Sequence, residues 1–455
     1  LAIADLLEKF EQFGVKLGLE PSLKLLANLG NPHWQVPILH VAGSNGKGSV
    51  CAYLSAILTE AGYRVGRYTS PHLLDWNERI VLNEEAIASE DLEAVLHQVV
   101  AAIPADRPSP TQFEIITAAA WLYFAQQDVD LAVMEVGLGG RLDATNVCDL
   151  PLVSIITSLS REHWQRLGPT LADIAREKAG ILKPGCLAVI GQIPPEAKVV
   201  VDQRIAELGC PVLYPPPATD LGNGWAEYAG ISYRLPLHGS IQLGNSALAI
   251  TAVQWLRQEG WNISDWAIAD GIAKTKWPAR LQWFTWQNQR ILIDGAHNAA
   301  SAEVLRQFVD SLTERQQPLV RPLPISSTSP SSSPPPPISW VMGILSTKDH
   351  ADIFKALLRP GDRLYLCPVP DHSSAEPEQL AVLAQTVCPD LAGCQVYPDV
   401  VSALKAALEQ DLTLLSESKG AELSVASSRP LTVLCGSLYL IGHFLRIAQS
   451  SCPSD

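Results

Sequence analysis

Short runs in which nearly every residue is apolar alternate along the chain with longer stretches whose apolar positions return at helical spacing. Residues 38–42, 131–136 and 152–157 are runs of the first kind and read as strands. Strands apolar on both faces belong in a sheet covered by helices on both sides. Helical spacing marks 49–61, 91–103, 113–126, 170–181 and 247–258, and Gly62 stands where a C-terminal cap is expected. The alternation predicts an α/β domain with a largely parallel sheet. A second series starts near Arg290, with strands at 291–294, 340–343, 363–367 and 432–435. Helical patterns follow each of them, at 299–312, 351–358, 377–386 and 438–448.

Two domains are expected, 1–283 and 284–455, with the join between Arg280 and Gln289 and no Gly/Ser linker to mark it. Inside the second lies a low-complexity stretch, 316–337, where Ser331-Ser332-Ser333 runs into four prolines. It has little apolar area to bury and reads as a disordered surface insertion. A weaker Ser-rich stretch spans 416–428. The first ten residues read as an amphipathic helix without the pattern of a signal peptide.

Composition narrows the picture. Hydrophobic residues make up 47% and charged residues 18%, a globular balance. A formal net charge of -14 argues against a nucleic-acid partner held by bulk electrostatics, but leaves room for a local phosphate site. No apolar run reaches the length of a membrane span. The nine cysteines are scattered and never spaced C-x-x-C, which fits buried thiols in a reducing compartment; the expected location is cytoplasmic.

The strongest local chemistry is Gly43-Ser44-Asn45-Gly46-Lys47-Gly48-Ser49, placed after a strand and opening a helix. Glycines let backbone N–H groups approach phosphate oxygens, and the helix N-terminus adds partial positive charge. Lys47 can reach terminal phosphates and Ser49 can offer a hydroxyl to Mg²⁺. The pattern is shorter than the common P-loop, with Gly48 between Lys47 and Ser49. Alone it indicates nucleotide binding, not a reaction.

Further motifs follow in order: Thr69-Ser70-Pro71-His72-Leu73, Asn77-Glu78-Arg79-Ile80, Thr111-Gln112-Phe113-Glu114, and Glu135-Val136-Gly137-Leu138-Gly139-Gly140-Arg141-Leu142-Asp143-Ala144-Thr145-Asn146. Then come Arg176-Glu177-Lys178-Ala179-Gly180-Ile181, Trp277-Pro278-Ala279-Arg280-Leu281, Asp294-Gly295-Ala296-His297-Asn298 and Gly436-Ser437-Leu438-Tyr439. Together they span most of the chain, and the set resembles the Mur ligase superfamily, within it the dihydrofolate synthase/folylpolyglutamate synthase family of bacterial bifunctional type. The resemblance implies a P-loop mononucleotide-binding parallel-sheet domain followed by a smaller Rossmann-like α/β domain. It also implies ATP-dependent joining of L-glutamate to dihydropteroate or to a reduced folate.

Such a reaction needs activation, because a carboxylate has no good leaving group in water. Phosphorylation by ATP gives an acyl phosphate that an amine attacks, and the protein must neutralise several anions at once. By resemblance Ser44, Asn45, Gly46, Lys47, Gly48, Ser49, Asn245, Arg280 and Asp294 bind ATP, while Ser49, Ser70, Glu135, His163 and Lys178 hold metal. Lys47, Lys178, His163 and His297 are the catalytic candidates, with His297 handling the amine's proton. The resemblance places the pterin-side pocket at Thr111, Gln112, Phe113, Glu114, Leu142, Asp143 and Ala144. It further implies Mg²⁺, a carbamylated Lys178, K⁺ and a monomer whose domains close over the substrates.

Each residue also has a plainer reading. Glu135 can be half of a buried ion pair with Arg141, and Lys178 a solvated helix lysine beside Asp173 or Glu177. Phe113 can be core packing, Arg280 an interdomain ion pair, and Asp294 or Asn298 a helix cap. Glu162 stands where the family usually has Asp, Ile241 where it has a polar residue, and Ala299 where it has Pro. The rival functions are a Mur-type ligase acting on another carboxylate and a regulatory ATPase that does not ligate. The first usually carries an extra N-terminal domain, for which the position of Gly43 leaves no room.

Overall fold

The computed structural model describes residues 3–10, 18–103, 109–315, 337–418 and 430–450. The chain forms two compact units, Leu1–Trp277 and Pro278–Asp455. In the first, strands β1 (Ile38–Ala42), β2 (Val65–Tyr68), β3 (Ile80–Leu82), β4 (Glu85–Ala86), β5 (Leu131–Glu135), β6 (Val153–Ile156), β7 (Leu187–Ile190) and β8 (Val212–Leu213) build an eight-stranded sheet. Its order is β4-β3-β2-β5-β1-β6-β7-β8, parallel except where β3 pairs with β2 and β4.

The apolar runs have the burial their composition demands. β1, β5, β6 and β7 are buried at every position. Along β1 the side chains alternate between two cores. Leu39 and Val41 pack with helices Lys47–Glu60 and Ile241–Gln258, whereas Ile38 packs with Ser89–Ala101 and Gln112–Gln126. A three-stranded antiparallel sheet, β9 (Thr219–Gly222), β10 (Trp225–Tyr228) and β11 (Ile231–Arg234), lies beside the first of these cores through Ala226 and Tyr233.

The second unit carries a six-stranded sheet of β12 (Gln282–Trp286), β13 (Gln289–Ile293), β14 (Ile338–Met342), β15 (Arg363–Leu366), β16 (Gly393–Val396) and β17 (Leu431–Cys435). Its order is β12-β13-β17-β14-β15-β16, parallel apart from the β12–β13 hairpin. Gln287 and Asn288 close that hairpin, both with positive φ, as a tight turn requires. The hairpin places β12 in the second sheet, so the units divide at Trp277, ahead of the 280–289 join read from the sequence.

The insertion expected at 316–337 lies, apart from Pro337, outside the described residues, as does 416–428 beyond Ser418. Among the described residues the N-terminal helix spans Ile3–Leu7 and ends before Phe10, with Leu6 and Leu7 buried. Among the described residues no helix is long and apolar enough to cross a membrane. The described cysteines are all free thiols.

Candidate active site

β1 ends at Ala42, and helix Lys47–Glu60 starts after a turn in which Gly43 (φ 148) and Gly46 (φ 89) are left-handed. A Cβ on Gly43 would lie 2.0 Å from Thr157 Oγ1, and one on Gly46 2.6 Å from Asn245 Oδ1. Neighbouring atoms therefore demand glycine here as firmly as the backbone angle does. The turn is laced to the segment after β6. The Ser44 N–H donates to Ser158 O at 2.7 Å, and the Thr157 and Ser158 hydroxyls donate to Asn45 O at 2.7 and 2.9 Å. The Ser44 hydroxyl donates to Ser160 O at 3.1 Å. The Lys47 ammonium folds back over the turn, donating to Gly43 O at 3.0 Å and Ser44 O at 3.3 Å. Gly48 meets Trp277, whose ring would stand 2.4 Å from a Cβ, so close packing alone accounts for this glycine.

Ser49 is buried, and its hydroxyl accepts from the Gln242 amide at 3.4 Å. Asn245 donates to Gln242 Oε1 at 3.0 Å, so the start of helix Ile241–Gln258 supports both the turn and Ser49. Glu135 ends β5 and pairs in register with Val41, one residue before the end of β1. Its carboxylate is buried, and Oε2 accepts the Ser70 N–H at 3.1 Å. The ion pair with Arg141 is not formed: Arg141 bonds Glu177 at 2.8 Å instead. Ser49, Ser70 and Glu135 are oxygen donors of the kind a hard cation such as Mg²⁺ prefers. Among the described residues no three His, Cys, Asp or Glu side chains gather as a metal cluster, so a cation here would rest on hydroxyls and water as well.

Lys178 is not a solvated helix lysine. It is buried; its Nζ donates to Glu162 Oε1 at 2.9 Å and to Gly43 O at 2.8 Å. The partners expected for it are taken, Asp173 by Arg176 and Glu177 by Arg141. Burial is the largest influence on both members of the pair. It pulls the Lys178 amine below its ordinary value. For Glu162 burial pushes upward, and the combined pull of Lys178, Lys47 and His163 outweighs it, holding the carboxyl at about 2. Glu162 is thus the anion that lets a lysine sit against the phosphate turn. His163, next in sequence, is exposed, has φ 47 and precedes the short helix Trp164–Leu167.

The residues read as the pterin pocket fall in two places. Thr111 caps helix Gln112–Gln126 in a capping box with Glu114, whose Oε2 accepts from the Thr111 N–H at 2.8 Å. Gln112 donates to Leu7 O at 3.0 Å. Phe113 lies against Gly137, where a Cβ would come within 2.4 Å of its ring, and it also packs into the core. Beyond that turn Leu142 is half-buried, and Asp143 and Ala144 are buried. Asp143 Oδ2 accepts the Leu138 N–H at 2.8 Å, and Oδ1 accepts the Thr145 N–H at 3.0 Å and its hydroxyl at 2.6 Å.

In the second unit Asp294 follows β13 and is buried. Its carboxylate accepts the Leu281 and Ala296 N–H groups, each at 2.8 Å. Burial raises its pKa above the ordinary carboxylate value, opposed by Arg280 and these hydrogen bonds. His297 Nδ1 lies 2.8 Å from Gly295 O. The helix cap proves to be Asn298, whose Oδ1 accepts the Ser301 N–H at 2.9 Å.

The sequence reading missed Thr157 and Ser158, which hold the phosphate turn, and gave Glu162 no role. The hydroxyl-rich run Thr157-Ser158-Leu159-Ser160 directly after a buried strand was the available signal.

Two family models match the chain, the Mur ligase middle domain over residues 41–190 and the C-terminal domain of dihydrofolate synthetase over 279–447. The dihydrofolate synthase/folylpolyglutamate synthase of Bacillus subtilis is 39% identical over 314 residues, covering 65% of this chain and 73% of that protein. The structure of Mycobacterium tuberculosis folylpolyglutamate synthase complexed with ADP matches with a TM-score of 0.83 and 26% identity, over 100% of this chain and 98% of that one. An Escherichia coli protein in complex with DHPP and ADP matches with a TM-score of 0.78 and 29% identity, over 98% and 96%.

A glycine turn against a lysine-bearing helix, on a parallel sheet that matches these proteins, defines an ADP-forming ligase of the Mur type, which makes a carbon–nitrogen bond. Within that class, the chain belongs to the dihydrofolate synthase/folylpolyglutamate synthase family.

Proposed function

We propose that this protein joins L-glutamate to dihydropteroate and to folyl(poly)glutamates, at the expense of ATP and through an acyl phosphate. The observation that carries the reading is the Gly43–Gly46 turn, braced by Thr157 and Ser158, with Lys47 folded over it and the buried carboxylate Glu135 on the neighbouring strand. Similarity to a protein whose structure is in complex with DHPP and ADP supports the choice of acid and nucleotide.

In this reading Ser44, Asn45, Gly46, Lys47, Gly48 and Ser49 receive the ATP phosphates. Asn245 backs them, and Arg280 and Asp294 also contact ATP. Ser49, Ser70, Glu135 and His163 hold Mg²⁺, which supplies charge neutralisation for the transferring phosphoryl group. Thr111, Gln112, Phe113, Glu114, Leu142, Asp143 and Ala144 receive the pterin side of the acid. His297 takes the proton of the incoming amine.

Lys178 is proposed to take up CO₂ as a carbamate that joins the metal set, with K⁺ as a further cation. Burial favours the neutral amine this requires, and uptake breaks the contact with Glu162. The protein is further proposed to act as a cytoplasmic monomer.

The test is isotopic. With heavy-oxygen label in the carboxylate of dihydropteroate, an acyl phosphate transfers label to the inorganic phosphate released. Unlabelled phosphate alongside glutamylated product would refute that route.

A further inference from the structure

Behind the Gly137–Gly140 turn lies a chain of buried polar groups of which only Asp143 has a role above. His40, Thr145 and Asp143 are 1%, 0% and 4% exposed. His40 Nε2 lies 2.9 Å from Thr145 Oγ1, and Thr145 Oγ1 lies 2.6 Å from Asp143 Oδ1. The other Asp143 oxygen holds the Leu138 N–H at 2.8 Å, and the Asp143 N–H donates to Gly140 O at 3.1 Å.

The proton order follows from the donors present. A carboxylate only accepts, so the Thr145 hydroxyl gives its hydrogen to Asp143. The Thr145 oxygen is then left to accept from His40, which fixes the neutral Nε2–H tautomer. Burial supports this order by keeping the imidazole uncharged. The ring is rigidly based, because His40 sits mid-strand in β1, in register with Met134 of β5 and Ser154 of β6.

We propose that His40 and Thr145 are positioning residues for the acid substrate: they orient the Asp143 carboxylate, which holds the Gly137–Gly140 turn under Phe113. The inference rests on the pterin-side reading of Phe113 and the 142–144 segment given above. Without the Thr145 hydroxyl, Asp143 keeps only backbone donors, and the side-chain link from the turn to His40 of β1 is broken. The phosphate turn is braced by separate residues, Thr157 and Ser158, so nucleotide binding is not coupled to this chain.

The experiment compares full-length wild type, Thr145→Val and Thr145→Ser in glutamate-dependent phosphate release with dihydropteroate, alongside ADP binding and thermal unfolding. Valine keeps the shape and loses the hydroxyl; serine restores it. Thr145→Val is expected to raise KM for dihydropteroate about tenfold, as one lost hydrogen bond of about 1.4 kcal/mol would, with KM for ATP and the Kd for ADP within about twofold of wild type. Thr145→Ser is expected to recover most of the loss.

Equal loss of ADP and acid binding, or no change in the acid KM while wild type is active, overturns the proposal. Should Thr145→Val fail to fold, the same split is read from His40→Leu against His40→Gln, which keeps an N–H donor. Inactivity of wild type with dihydropteroate and glutamate would refute the functional reading itself, a different result from wild-type activity with an unaffected valine variant.

Discussion

Lys178 and Glu162 form a buried ion pair, 2.9 Å from Nζ to Oε1, with side chains 3% and 6% exposed. The same ammonium donates to Gly43 O at 2.8 Å, which ties the pair to the phosphate turn. Removing one partner leaves a buried charge unmatched, which costs about 3–5 kcal/mol. Glu162→Ala is expected to lose stability of that order in urea unfolding, together with ligation. Glu162→Asp restores the acid usual in the family and is expected to keep most of the stability. Equal stability of Glu162→Ala and wild type would remove the pair from the account.

Acid sensitivity should trace in part to His40. Burial, aided by the charge of Lys183, pulls its pKa from 6.5 down to about 3. Between those values the unfolded chain binds a proton that the folded chain refuses. Stability therefore falls as pH falls from about 6.5 toward about 3, at up to about 1.4 kcal/mol per pH unit from this ring. The His40→Asn variant should show a shallower loss over that window when unfolding is followed at pH 7, 6 and 5 in about equal steps. Parallel profiles for variant and wild type would contradict the assignment.

Glycines at Gly43 and Gly62 should respond differently to alanine. Both have positive φ, but a Cβ at Gly43 would stand 2.0 Å from Thr157 Oγ1, whereas one at Gly62 meets nothing within 4 Å. Gly62→Ala is expected to cost about 1 kcal/mol of stability from backbone strain and leave KM for ATP alone. Gly43→Ala must displace Thr157, a donor to the turn, and is expected to raise KM for ATP at least about tenfold. Urea unfolding checks the first and the ATP dependence of phosphate release checks the second.

Among the described residues the Lys47 ammonium bonds carbonyls of its own turn, so its loss should leave the fold standing. Lys47→Ala is expected to lower kcat by about a hundredfold or more, since a positive charge on the transferring phosphoryl group disappears. Circular dichroism and the melting temperature should stay near wild type.

The sequence made the central strands legible because burial on both faces leaves few polar residues in them; β1 falls at the residues its apolar run marks, Ile38–Ala42, with His40 its one polar member. β12 went unread because Gln282, Thr285 and three aromatics give a half-exposed edge strand no clear apolar run. Helix Ile241–Gln258 begins before its read start at Ala247, since Gln242 and Asn245 are polar for the sake of Ser49 and the turn. Lys178 was legible as a motif but its partner was not, because Glu162 lies 16 residues away on another segment. Thr111 and Glu114 were read as pocket residues, and the capping box they form adds a structural use to that motif.

The central claim is that one chain couples ATP cleavage to glutamate addition on a pterin-bearing acid. Its most direct test is phosphate release by the purified protein with ATP, Mg²⁺ and bicarbonate, using dihydropteroate or tetrahydrofolate, each with and without L-glutamate. The account predicts release only when acid and glutamate are both present, with one glutamyl residue added to the acid by mass. Release that ignores glutamate, or none with either acid, would contradict it.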